Sequence, residues 1–180
     1  MRGIFLTMYR YATFVSLLFL AGCANYTPPL TGPTANLRFF TLPGNKTEIH
    51  ILKDARCDSA PGATIAVLGQ GLRNETGQGR SVGMPLGDVM PKASISEIVI
   101  RSDQTFAAQM QAAKVPGPHG ENWNYENCRK RFVLKPKEGV NYEAQLEQYH
   151  GGCTLNIFRL SREAGTYVRR LADAEVTRCR

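Results

Sequence analysis

Alternation of apolar and polar residues with a period of two, interrupted by glycine and proline, constrains this chain more than any other feature. Successive side chains of a strand point to opposite faces, so such alternation marks a strand with one face in a core and the other in water. Asn36 to Leu42 places Leu37 and Phe39 on one side, and Thr47 to Leu52 sets Ile49 and Ile51 against Glu48 and His50. Ala63 to Leu68 is short and mostly apolar, which suits a central strand, and Ser94 to Arg101 alternates again. Towards the C-terminus, Arg131 to Leu134, Tyr142 to Leu146 and Cys153 to Leu160 are predicted to form a three-strand meander. Its corners are Pro136-Lys137-Glu138-Gly139 and His150-Gly151-Gly152, and a further strand follows over Thr166 to Arg170.

Two stretches are ambiguous. Thr105 to Lys114 contains helix formers, with Ser102 or Asp103 as a cap and Pro116 as a stop, yet Thr105 to Gln109 serves equally well as a strand. Gly69 to Gly87 is polar and glycine-rich, and reads as a loop or as an extended hairpin over Ser81 to Leu86. The pattern predicts a mainly β chain, an immunoglobulin-like antiparallel β-sandwich with at most one short helix. The stretch from Phe132 to Ala144, with Pro136, Gly139 and Tyr142, resembles a hairpin of small periplasmic β-domains. That likeness is architectural and transfers no activity.

The N-terminal segment concerns location. Arg2 and Arg10 precede an apolar run from Tyr11 to Leu20, and small residues lead into Cys23. This is the three-part layout of an export signal, and the run falls short of the ~20 residues of a spanning helix. Leu20-Ala21-Gly22-Cys23 resembles the lipobox of bacterial lipoprotein precursors. The resemblance implies that the Cys23 thiol receives a diacylglycerol, that a peptidase cuts before it, and that the new amine is acylated. Several acyl chains hold a domain on a bilayer far more firmly than one. The absence of aspartate after Cys23 resembles the sorting signal of outer-membrane lipoproteins. The expected organisation is a cleaved signal peptide over 1–22, a lipidated cysteine and flexible tether over 23–35, and a single sandwich over 36–180. Prolines in the tether favour an extended spacer reaching ~30 Å.

Removing the leader takes away two of the 22 basic residues and none of the 15 acidic ones, leaving a formal charge of +5. Basic residues cluster at Arg129-Lys130-Arg131 with Lys135 and Lys137, and at Arg169-Arg170 with Arg178 and Arg180. Export excludes nucleic acid as the partner. An anionic lipid, lipopolysaccharide or cell-wall carboxylate fits such a patch, although solvated outward strand positions explain the same residues. Cys57, Cys128, Cys153 and Cys179 remain once Cys23 is lipidated, an even number that predicts two disulfides in an oxidising compartment. Of three connectivities, the expected one is Cys57–Cys128 with Cys153–Cys179. Metal binding is not expected, since no C-x-x-C pair occurs.

The chemistry-bearing motifs are weak. Gly79-Arg80-Ser81-Val82-Gly83 fits the G-x-S-x-G pattern, with Asp88 or Asp103 and His119 or His150 following in order. A nucleophile elbow needs a strand before the serine and a helix after it, and Met84-Pro85-Leu86-Gly87 opposes a helix. No complete phosphate-cradling glycine motif is present, so no cofactor is expected. His119, Trp123 and Tyr125 form the one candidate ligand or partner loop, because an aromatic set beside amides can stack on a sugar or anchor a protein. The predicted role is a non-catalytic binding or structural module on the periplasmic face of the outer membrane. The alternatives are a small hydrolase using Ser81 and an accessory subunit of an envelope complex.

Overall fold

The computed structural model describes residues 26–42, 46–69, 77, 80–85, 95–113, 128–149, 152–164 and 166–179. They form ten strands: β1 (Thr34–Thr41), β2 (Lys46–Leu52), β3 (Pro61–Leu68), β4 (Ile95–Arg101), β5 (Phe106–Ala113), β6 (Arg129–Leu134), β7 (Asn141–Tyr149), β8 (Gly152–Glu163), β9 (Thr166–Leu171) and β10 (Val176–Cys179). No helix occurs among the described residues. One sheet runs β4-β1-β7-β8-β9 and the other β10-β6-β5-β2-β3. Neighbours are antiparallel except β1 and β7, which pair in parallel with Leu37 beside Tyr142.

Burial of the predicted alternating residues drives the packing. Leu37, Phe39, Ile98, Tyr142, Ala144 and Ile157 of the first sheet meet Ile49, Ala66, Ala108, Met110, Phe132 and Leu134 of the second in one core. The ambiguous stretch Thr105 to Lys114 provides strand β5. Ala108, Met110 and Ala112 are buried there, while Gln109 and Gln111 bond to Arg131 and Arg129. Lying between β2 and β6, this stretch gains ladder hydrogen bonds on both sides, which override the helix preference of its residues.

The predicted C-terminal meander is shifted by one strand. β6 pairs with β5 and β10, so the Pro136 turn does not close a hairpin but carries the chain from the second sheet to the first. Gly139, at φ +70°, donates its N–H to Thr34, and Lys137 N–H donates to the Tyr142 hydroxyl at 3.0 Å. A tyrosine at a strand start that accepts from upstream backbone is the tyrosine corner of immunoglobulin-like sandwiches. The actual meander is β7-β8-β9. Strand β10 was not anticipated, and residues 80–85 form no strand.

The disulfide pairing also differs from expectation. Cys57 bonds Cys179 and Cys128 bonds Cys153. Cys128 immediately precedes β6 and Cys153 lies in β8, so this bridge ties the two sheets together. Cys57 lies in the β2–β3 loop, and its partner in β10 is at the far edge of the same sheet. The loop therefore reaches across the outer face of β5 and β6, where Arg131 donates to the Cys57 carbonyl at 3.0 Å. The strand order, invisible in the spacing of the cysteines, decides which sulfurs meet.

Candidate functional site

Three adjacent strands place charge at the centre of the first sheet. Arg38 of β1 stands in register with Glu97 of β4 on one side and Glu143 of β7 on the other, all on the outer face. Despite that position they are 1%, 0% and 0% exposed. Residues 80–85 cover Arg38 and Glu97. Arg38 donates to Glu97 Oε1 from Nε at 3.0 Å and from Nη2 at 2.7 Å, to Glu143 Oε2 at 3.2 Å, and to the Pro85 carbonyl at 2.7 Å. Glu97 Oε2 accepts from Ser81 Oγ at 3.0 Å and from the backbone N–H of Val82 and Met84 at 2.8 and 3.2 Å. Glu143 Oε1 faces Arg169 at 2.5 Å as an ion pair, and that guanidinium also lies 5.6 Å from the Phe158 ring.

Burial pushes the Glu97 carboxyl up, but bonds from Arg38, Val82, Met84 and Ser81 outweigh it and hold the group below the usual carboxylate range. A carboxylate receiving five hydrogen bonds has little capacity left to take a substrate proton. The network's chemistry is anchoring: it fastens the 80–85 segment onto β4, helped by the Glu97 N–H bonded to the Arg80 carbonyl at 2.9 Å. Its sequence signal was a charge inside an apolar run, Glu97 within Ile95 to Ile100 and Arg38 within Leu37 to Phe40.

Ser81 is thus brought to an acid, Glu97, but not to a described histidine. His50 bonds Thr64 at 3.1 Å and lies on the outer face of the other sheet, across the sandwich. Asp103 is paired with Arg101. Asp88, His119, His150, Trp123 and Tyr125 lie outside the described residues, as do Cys23 and the 1–22 leader. The stretch read as a tether contributes Tyr26 to the fold. This side chain packs on the core and donates to the Val99 carbonyl, and burial pushes its pKa up to about 12 despite the opposing charge of Arg80. Tyr26, Pro29, Ile51, Ile100 and Phe106 line a cavity of about 260 Å³ there.

The basic clusters resolve largely into individual pairs. Lys137 meets Glu175 at 2.7 Å, Arg170 meets Glu163 at 2.8 Å, and Arg178 meets Asp173 at 2.8 Å. Lys130 has no such partner among the described residues and lines a second cavity of about 370 Å³, with Arg131, Leu155 and Arg178. Among the described residues no three His, Cys, Asp or Glu side chains group as metal ligands, and no helix is long and apolar enough to cross a membrane. No known protein family and no curated protein matches the chain.

Proposed function

We propose that this chain is a bacterial lipoprotein held on the periplasmic face of the outer membrane by acylated Cys23, displaying a non-catalytic binding or structural module. The observation that carries the reading is Leu20-Ala21-Gly22-Cys23 at the end of an apolar segment behind Arg2 and Arg10. Two disulfides among the remaining cysteines suit the oxidising compartment to which such a leader directs a chain. Only Ala24 and Asn25 separate Cys23 from Tyr26, which packs on the sandwich. A lipid at Cys23 therefore holds the domain within ~10 Å of backbone from the bilayer, not at the end of a long spacer. The saturated Glu97 carboxylate beside Ser81, with His50 on the opposite face, favours binding over hydrolysis.

A second reading, an accessory subunit of an envelope complex, is favoured by β9. This edge strand is open to solvent, with Tyr167 45% and Leu171 55% exposed, and an unpaired strand edge is a ready docking surface. The primary test is Cys23→Ser in the full chain, expressed in a two-membrane bacterium and followed by fractionation. The unaltered chain is expected in the outer-membrane fraction, and the variant is expected to lose processing and membrane retention. Retention of the variant there at an unchanged processed size contradicts lipidation. Crosslinking in intact envelopes tests the second reading, and capture of a defined partner through β9 supports it.

A further inference from the structure

We infer that the cavity between β6, β8 and β10 binds a phosphate group. This site is independent of the lipid at Cys23 and of the charged network under residues 80–85. The pairing of β9 with β8 stops at Phe158, so among the described residues the preceding half of β8 has no neighbouring strand on that side. β10 is likewise an edge strand, and the cavity of about 370 Å³ opens between these two incomplete edges. Cys153 and Cys179 both line it, one from each disulfide, so both covalent staples fix its walls before any ligand arrives.

The charged side chains that line the cavity are all cationic, and Thr154 and Asn156 add groups that can donate as well as accept. Lys130 lies on the inward parity of β6 with Phe132, and has no partner among the described residues. Arg178 gives Nε to the Leu155 carbonyl at 3.4 Å and Nη2 to Asp173 at 2.8 Å, leaving Nη1 without a partner among the described residues. Because a strand residue's C=O and N–H point to the same edge of an antiparallel pair, the Leu155 N–H also faces this opening. Arg131 lies on the opposite parity of β6, and its guanidinium is bonded to Gln109 and the Cys57 carbonyl on the outer face, so the cations left to the cavity are Lys130 and Arg178. Among the described residues no carboxylate lines the cavity, and Asp173 is engaged by Arg178.

That inventory discriminates between ligands. A polypeptide adding to the β8 edge needs acceptors as well as donors, and the Leu155 carbonyl is already taken by Arg178. A ligand that only accepts meets no such conflict. A phosphate monoester carries about −1.5 to −2 charges and three strong acceptor oxygens. These match an ammonium, a guanidinium edge and a backbone N–H, and the volume leaves room for a sugar attached to the ester.

The test is NMR titration of the full-length protein in detergent, following the Leu155 amide against inorganic phosphate and, separately, glucose 1-phosphate. Saturable movement of that amide is expected, weakened at least tenfold by Lys130→Ala and largely restored by Lys130→Arg. Tighter binding of glucose 1-phosphate identifies a phosphorylated glycan headgroup as the source, and equal or weaker binding identifies free phosphate. If neither compound moves Leu155 saturably, or if Lys130→Ala leaves the affinity unchanged in a chain whose other amides are undisturbed, the proposal is overturned.

Discussion

Arg38 is 1% exposed, and its polar partners among the described residues are two carboxylates and a carbonyl. Removing one partner of a buried ion pair costs more than the pair contributes, because the remaining charge stays buried without compensation. Glu97→Gln is therefore expected to lower stability by about 3 kcal/mol at neutral pH, measured by urea unfolding. The acid response follows from the same residue. Its folded carboxyl binds a proton less readily than the ~4.3 of an unfolded glutamate, so its contribution is present above that value and lost as pH falls through the lower folded one. Unfolding repeated down to pH ~3 should show a shallower acid decline in Glu97→Gln than in the unaltered chain. At Tyr26 the sign reverses. Its hydroxyl, with a pKa pushed up to about 12, favours the folded state fully below ~10, the unfolded value, and loses that contribution as pH rises through 12. Tyr26→Phe is expected to cost about 1 kcal/mol at neutral pH and to flatten the alkaline decline. An unchanged alkaline limb would detach Tyr26 from the core.

At the scale of elements, the alternation of Leu37 with Phe39, Ile49 with Ile51, and Leu155 with Ile157 was legible because one buried face imposes a period of two. The identity of β5 was not, since Ala, Gln and Met suit a helix and only the pairing with β2 and β6 decides otherwise. Nor could the Pro136 turn declare itself. A proline–glycine corner reads alike whether the next strand joins the same sheet or the opposite one, and here Tyr142 and Thr34 bind it across the sheets. The β8–β9 hairpin retains a local misfit. Glu163 pairs with Thr166 across a two-residue turn, and Ala164 occupies it at φ +47°. Left-handed backbone is costly for alanine and readily adopted by asparagine. Ala164→Asn, which creates the favoured Asn-Gly turn, should raise stability by about 0.5–1 kcal/mol in urea unfolding. A loss instead would mean that the alanine methyl packs against something the turn needs.

For the molecule as a whole, the four cysteines announced two bridges without revealing which, because connectivity follows strand order and not spacing. Cys57–Cys179 spans 122 residues and Cys128–Cys153 spans 25. In the chain-entropy description these contribute about 5 and about 3.5 kcal/mol respectively. Replacing Cys57 and Cys179 together by serine should therefore destabilise more than replacing Cys128 and Cys153, as read by denaturant midpoints with the other bridge intact. The reverse order would show that holding the sheets together outweighs loop closure. The candidate site was only half legible. Basic residues near Phe132 stood out in the sequence, but the cavity around Lys130 exists only because β9 ends early and β10 forms the opposite edge. Anchoring and stapling meet in a single measurement, peptide mapping by mass spectrometry of the protein taken from bacterial membranes and digested without reduction. An N-terminal peptide starting at Cys23 and carrying diacylglycerol, together with linked peptides for Cys57–Cys179 and Cys128–Cys153, is the predicted result. An unmodified peptide running through Gly22-Cys23-Ala24 would contradict the central claim.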